Sequence, residues 1–184
     1  MIQPPAKRVF STVLCCRLGL ALAILTLPAV CGCQQPNADL DLDNPELAAF
    51  VRLMMPTKIE IQHYLTKPFD FEGTGDADGL EVILAAYDSF GDPVKCVGTF
   101  HFELYRQRMA SGDKRGKQIA FWPVTVNSDE TLMQYWDRPT RFYLFRLKLA
   151  EGPLEPGGYV LDTRLVTPTG GKLFDDYEFE YKGP

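Results

Sequence analysis

The segment that decides the fold class of this chain is residues 99–105, with the sequence TFHFELY. Phe100, Phe102 and Leu104 are apolar, and they alternate with residues that carry a polar group. This period of two is the pattern of a β-strand that buries one face and turns the other toward solvent. We therefore expect the three apolar side chains to point into a core and His101 to lie on the solvated face.

Six further segments have the character of strands, and Gly, Pro, Asp and Ser turn signals separate them. Together with 98–107, the predicted strands are 58–66, 80–88, 118–126, 140–149, 158–167 and 172–182. Seven short strands in about 125 residues are typical of a β-sandwich, in which two antiparallel sheets pack face to face. The sequence therefore predicts an all-β protein.

Two short helices are predicted outside these strands. Asn44, Pro45 and Glu46 supply an N-cap, a proline at the first helical position and an acidic residue in the first turn. The helix that they begin is expected to end before Pro56. A second helical turn, over residues 128–136, is inserted before the fifth strand and has a serine as its cap.

The turn after the second strand carries a family resemblance. Residues 86–94, AYDSFGDPV, are similar to the strand–turn–strand of immunoglobulin-like (Ig-like) and transthyretin-like bacterial surface domains. Here Gly91 accepts a positive φ, and Pro93 fixes the direction in which the chain re-enters a strand. The resemblance implies a seven-stranded antiparallel Ig-like sandwich for residues 45–184. It implies no activity, because this architecture supports many functions.

The amino terminus predicts export from the cytoplasm. Residues 1–17 are basic, and residues 18–30 form an unbroken apolar run. This run is too short to cross about 30 Å of hydrocarbon as a helix, which takes about 20 residues, but it matches the apolar core of a secretory signal. Residues 1–32 are therefore predicted to be a signal peptide. Two alternatives stay open: cleavage near Ala29 without lipidation, and an uncleaved membrane-anchored start.

The end of the signal peptide resembles the lipobox of bacterial lipoproteins in the run Val30-Cys31-Gly32-Cys33. In that family, the cysteine after a small residue receives a diacylglycerol and becomes the first residue of the mature protein. The resemblance implies that Cys33 is lipidated and that residues 33–44 are a polar tether. It implies a lipid-anchored protein of the cell membrane or outer membrane, with its domain facing the periplasm or the exterior.

The charge of the chain argues against a nucleic-acid partner. The chain has 19 Lys and Arg residues against 24 Asp and Glu residues, a net charge of −5. Because the first 32 residues hold three basic residues and no acid, the remainder has a net charge of −8. It contains no stripe of Lys and Arg that would follow a phosphate backbone.

The sequence contains no recognisable catalytic arrangement. His63 shares a predicted strand face with Ile59 and Ile61 and is expected in the core or at a strand end. Cys96 is the one cysteine left after signal cleavage and lipidation, and we expect it to pack at a strand edge. Clusters with metal-ligand spacing and Gly-rich phosphate loops are absent from the sequence. We therefore predict no enzymatic activity, no metal and no cofactor.

Two segments of the chain are rich in acidic residues. Asp76, Asp78 and Glu81 fall within six residues, but their spacing does not match a calcium loop. A polar turn is expected there, and cation binding stays open. The acidic residues of 175–180 alternate with aromatic ones and are expected on a solvated strand face.

The candidate partner-binding residues are Tyr135, Trp136 and Arg138, which interrupt the strand pattern. Aromatic and arginine side chains of this kind are enriched in the energetically important parts of protein interfaces. The alternative is that the two rings close one open end of the sandwich.

These features together predict a membrane-anchored extracytoplasmic lipoprotein. Its domain is expected to be a non-catalytic binding or structural module of the cell envelope, with the membrane and an envelope protein as partners. The alternative is an accessory lipoprotein subunit of an envelope-spanning secretion or transport machine, which is an analogy at the level of the fold.

Overall fold

A computed structural model of the protein describes residues 43–108 and 112–184. The predicted signal peptide, the predicted lipidation site Cys33 and most of the predicted tether lie outside the described residues.

The described residues contain nine strands and two helices. In chain order they are α1 (Pro45–Met54), β1 (Lys58–Ile61), β2 (Lys67–Phe69), β3 (Gly79–Tyr87), β4 (Gly98–Gln107), β5 (Arg115–Val126), α2 (Asp129–Tyr135), β6 (Trp136–Asp137), β7 (Phe142–Lys148), β8 (Gly157–Val166) and β9 (Lys172–Tyr181).

The strands form two antiparallel sheets. The five-stranded sheet has the order β1-β3-β7-β6, with β2 also paired to β3, and the four-stranded sheet has the order β5-β4-β8-β9. Every one of the seven predicted strand regions contains a strand. The prediction of an all-β protein built from two antiparallel sheets is therefore confirmed.

The predicted number of seven strands is wrong, because the described residues also contain the short strands β2 and β6. The predicted strand 58–66 is not continuous: β1 ends at Ile61. The carbonyl of Gln62 then accepts the N–H groups of Leu65 and Thr66, which forms a turn before β2. The alternation of apolar residues continues through this turn, so periodicity alone could not reveal it.

In the described part of the chain, the core between the sheets contains four fully buried aromatic rings among mainly aliphatic side chains. Phe100 and Phe102 of β4 are fully buried, as are Tyr143 and Phe145 of β7. The ring centroids of Phe102 and Phe145 are 4.8 Å apart, so the two sheets are joined by direct ring contacts. The inward orientation predicted for the apolar face of residues 99–105 is confirmed. Full burial of each such side chain contributes about 1.5–3 kcal/mol.

Both helices begin at the predicted caps. Asn44 Oδ1 accepts the N–H of Glu46 at 3.0 Å, before α1. Ser128 Oγ accepts the N–H of Thr131 at 3.3 Å, and Thr131 Oγ1 accepts the N–H of Ser128 at 3.1 Å, before α2. Each cap satisfies backbone donors that the first turn of a helix leaves unpaired.

The turn after β3 has the backbone that its sequence predicted. Gly91 has a φ of 87°, in the left-handed region that glycine adopts at little cost. Asp88 Oδ1 accepts the N–H groups of Phe90 and Asp92, at 2.8 and 3.0 Å. Pro93 then forms an isolated antiparallel bridge with the last residue of β3.

Candidate functional site

The outer face of the four-stranded sheet carries a row of four side chains, one from each strand. The register places Pro123 of β5 beside His101 of β4, and His101 beside Arg164 of β8. Arg164 in turn lies beside Phe174 of β9. The row is on the outer face because alternate residues of a strand point to opposite sides, and the neighbours of His101 point into the core. We call these four residues, together with Phe121 of β5, the aromatic stripe.

Two phenylalanines give the aromatic stripe an accessible apolar surface. Phe121 is 47% exposed and Phe174 is 64% exposed. The ring of Phe121 stacks on the ring of His101, with the centroids 5.7 Å apart. Each outer strand of this sheet therefore exposes one large apolar ring on the same face.

The centre of the aromatic stripe contains polar nitrogen atoms without partners. Arg164 Nε and His101 Nδ1 are buried and have no hydrogen-bond partner among the described residues. Burial and the Arg164 cation lower the pKa of His101, so its imidazole is neutral at pH 7. An unpaired buried donor costs about 1–3 kcal/mol. The nitrogens adjoin a hollow of about 60 Å³, lined by His101, Glu103, Asp162, Thr163, Arg164 and Phe174.

Charged side chains border the aromatic stripe and are paired with one another. Arg115 makes a two-pronged ion pair with Asp162, with N···O distances of 2.6 and 2.8 Å. Lys114 lies 2.8 Å from Glu178. Lys114, Arg115 and Glu178 also line a wider groove of about 290 Å³. The aromatic stripe therefore has polar side chains on its two central strands, exposed phenylalanines on its two outer strands, and ion pairs at its border.

Tyr135 and Trp136, which the sequence singled out for binding, lie at one end of the sandwich. The ring of Tyr135 is 5.0 Å from the ring of Phe145, and the ring of Trp136 is 5.0 Å from that of Tyr143. Both rings are half-buried and pack against the core. Both rings therefore contribute to core packing beside β6, an edge strand of the five-stranded sheet.

Arg138, the third of these residues, stays on the surface at that end. Its guanidinium lies 3.3 Å from the sulfur of Met133, which is 51% exposed. The ammonium of Lys95 lies 5.8 Å from the centre of the Trp136 ring. What is accessible here is a mixed patch of cationic side chains, a thioether and one ring edge.

Asp175 corrects the prediction that the acidic residues of 175–180 all lie on a solvated face. It points to the inner side of β9 and is half-buried, and its Oδ2 accepts the N–H of Ile61 of β1 at 2.6 Å. Burial raises the pKa of the Asp175 carboxyl. His63 is exposed just past the end of β1 instead of in the core, and it stacks on Tyr177 at 4.5 Å.

Cys96 is more deeply buried than a position at a strand edge implied. It is 5% exposed, and its backbone N–H donates to the hydroxyl of Tyr143 at 2.7 Å. The same hydroxyl donates to the carbonyl of Cys96 at 3.0 Å. Burial raises the pKa of the thiol to about 11, so Cys96 is a protonated packing residue at neutral pH.

The three carboxylates of the turn before β3 do not converge. Asp78 Oδ1 accepts the N–H of Phe71 at 2.6 Å, whereas Glu81 lies 3.5 Å from Arg146 Nε, and Asp76 is exposed. In residues 43–108 and 112–184, no group of three or more His, Cys, Asp or Glu side chains is placed to hold a metal ion.

The aromatic stripe was missed at the level of sequence, although a signal for it exists. In β9, Phe174 points to the same face of the sheet as the exposed Asp176 and Glu178. In β5, Phe121 points to the face opposite to that of the inward-facing Trp122. An aromatic residue at a strand position where the alternation calls for a polar residue is therefore the sequence feature that indicates this surface.

The chain matches no protein-family model, no curated protein and no solved structure in the comparisons with known proteins. Within the part of the chain that the structure describes, there is no helix with the length and apolar character needed to span a membrane.

Proposed function

We propose that this chain is a lipid-anchored extracytoplasmic protein of the bacterial cell envelope, whose Ig-like sandwich binds a protein partner and performs no catalysis. The observation that carries the binding proposal is the aromatic stripe on the outer face of the four-stranded sheet. The lipobox-like run that ends at Cys33 supports the anchor.

The composition of the aromatic stripe defines the partner that fits it. Phe121 and Phe174 offer apolar contact area, and the half-buried Arg164 places a guanidinium cation between their two strands. A matching segment presents an apolar side chain to the rings and a carbonyl or carboxylate oxygen to Arg164. A hydrogen bond from a guanidinium to such an oxygen is charge-assisted and therefore strong.

The ionisable groups around the aromatic stripe favour binding over catalysis. The carboxylate of Asp162 forms an ion pair with Arg115, and the carboxylate of Glu103 accepts a hydrogen bond from the hydroxyl group of Tyr105. The imidazole of His101 is neutral and stacked on a phenylalanine. Residues engaged in this way shape a surface, whereas general acid–base chemistry needs a group directed at a substrate.

Site-specific photo-crosslinking in intact cells tests the partner site. A photoreactive phenylalanine analogue is placed at Phe174 in one variant and at Phe90 in another. Phe90 is the matched control because it is 76% exposed but lies in the turn after β3. We expect a crosslinked protein band for position 174 that is absent for position 90 and that the substitution Arg164→Gln weakens. Equal crosslinking at both positions would contradict the proposal.

The same assay distinguishes the remaining alternatives. A crosslinker at Arg138 tests the end of the sandwich formed by Tyr135, Trp136 and Arg138 as a second docking position. If the crosslinked partner belongs to one stoichiometric multi-subunit complex, the protein is an accessory subunit of an envelope-spanning machine.

The anchor is tested separately by mass spectrometry of the mature amino terminus. We expect an acylated peptide that begins Cys33-Gln34-Gln35, and loss of membrane retention in Cys33→Ser. A free amino terminus at Val30 or Cys31 would exclude lipidation at Cys33.

A further inference from the structure

Helix α1 presents an apolar surface to its surroundings. Phe50, Leu53 and Met54 are 56%, 44% and 59% exposed. They are spaced i, i+3 and i+4, so they lie on one side of the helix. No residue of α1 is buried. A ten-residue helix of this composition leaves three large apolar side chains in water unless another apolar phase covers them.

The position of α1 in the chain indicates what covers it. Ten residues, 34–43, separate Cys33 from the N-cap Asn44. Even fully extended, they reach at most about 40 Å. A lipid on Cys33 therefore keeps α1 next to the bilayer, at an effective concentration in the millimolar range. At this concentration, even a weak affinity for the membrane surface is sufficient.

We propose that α1 lies in the headgroup region of the bilayer and inserts Phe50, Leu53 and Met54 toward the acyl chains, an inference that rests on the proposed lipidation of Cys33. The helix is a second, non-covalent membrane contact beside the lipid. It places the start of β1, four residues after the helix ends, close to the membrane surface.

The charges around α1 specify the lipid surface. The helix carries one acid, Glu46, and one base, Arg52, and the tether before it contains Asp39, Asp41 and Asp43. Attraction to anionic headgroups therefore contributes nothing, and insertion depends on the apolar side chains. The surface that α1 fits is zwitterionic.

Fluorescence quenching by brominated lipids tests this placement. The full-length lipidated protein is reconstituted into phosphatidylcholine–phosphatidylethanolamine vesicles that contain lipids brominated near the top of their acyl chains. Phe50→Trp is compared with Tyr64→Trp. Tyr64 is a fully exposed aromatic residue, and it lies in the turn that follows β1, at the far end of that strand from α1.

The measured quantity is the fluorescence emission that the new tryptophan adds to that of the wild-type protein. We expect brominated lipid to reduce this added emission roughly twofold for Phe50→Trp and not at all for Tyr64→Trp, because only residue 50 reaches the acyl chains. Adding phosphatidylglycerol should leave the result unchanged. Quenching of both variants to the same extent, or quenching that requires the anionic lipid, would overturn the inference.

Two further outcomes separate this inference from the proposed function. If Cys33 is acylated but Phe50→Trp is unquenched, the helix placement is wrong and the anchor stands. In that case, protection of the new tryptophan from aqueous acrylamide would show that protein covers α1 instead of lipid. If mass spectrometry finds no lipid on Cys33, the proposed anchor itself fails, together with the inference that depends on it.

Discussion

The hydroxyl group of Tyr143 joins two distant parts of the core. The side chain is fully buried, and its oxygen accepts the N–H of Cys96 and donates to the carbonyl of the same residue. The substitution Tyr143→Phe removes this one oxygen and keeps the ring. It leaves a backbone donor and a backbone acceptor unpaired in the interior.

The expected loss of stability follows from these two groups. Each buried polar group without a partner costs about 1–3 kcal/mol. Because the segment around Cys96 can relax in part, we expect Tyr143→Phe to lower the free energy of unfolding by about 3 kcal/mol. For a domain of this size, such a change lowers the melting temperature by about 6–12 °C.

Urea denaturation of the protein lacking residues 1–33, followed by tryptophan fluorescence, measures the effect. Tyr177→Phe is the matched control, because the contacts of Tyr177 with His63 and Phe179 are made by its ring. The control should change the free energy of unfolding by less than about 0.5 kcal/mol. If Tyr143→Phe costs no more than the control, the hydroxyl does not hold the Cys96 segment.

Three further substitutions test other parts of the fold by urea denaturation. Burial raises the pKa of Asp175 in the folded state above its value in the unfolded state. The free energy of unfolding therefore falls as the pH rises from about 4 through the folded-state pKa, because the carboxyl group ionises more readily in the unfolded chain. Asp175→Asn keeps an oxygen that can accept the N–H of Ile61. The free energy of unfolding of this variant, compared with that of the wild type, should be higher at pH 7 than at pH 4. If the variant and the wild type differ by the same amount at both pH values, the buried charge of Asp175 does not affect stability. Phe102→Ala should lower the free energy of unfolding by about 3–5 kcal/mol. Phe179→Ala should lower it by about half as much, because Phe179 is only half-buried on an edge strand. Equal losses for the two variants would contradict the difference in burial between these two side chains. Trp136→Ala should cost about 3 kcal/mol through loss of ring packing, and unchanged stability would return this ring to the list of binding residues.

Strand positions were predictable where the alternation is unambiguous. The predicted strand 98–107 coincides with β4, because apolar and polar residues alternate clearly over residues 99–105. The prediction failed after Ile61, where alternation continues but a local turn captures the backbone N–H groups of Leu65 and Thr66. The period of the sequence indicates to which face of a strand each side chain points. It does not indicate which carbonyl group accepts a given backbone N–H group.

The aromatic stripe could not be derived from any one strand. His101 and Phe174 are more than seventy positions apart in the sequence and become neighbours only through the pairing of β4 with β8 and of β8 with β9. The alternation in each strand assigns a side chain to a face, but the order of strands in the sheet decides which side chains share a row. That order depends on tertiary contacts that the local sequence does not encode.

The hydrogen bond from Ile61 to Asp175 has a consequence for self-association. Backbone N–H groups at the edge of a sheet can recruit a strand from another molecule, and charged side chains that cover them prevent such pairing. Asp175 occupies the N–H of Ile61 on β1, an outer strand of the five-stranded sheet. On β5, an outer strand of the other sheet, Pro123 has no N–H to offer. Each sheet thus has one outer strand on which a backbone donor is already used or missing, so a strand from another molecule would find fewer partners there.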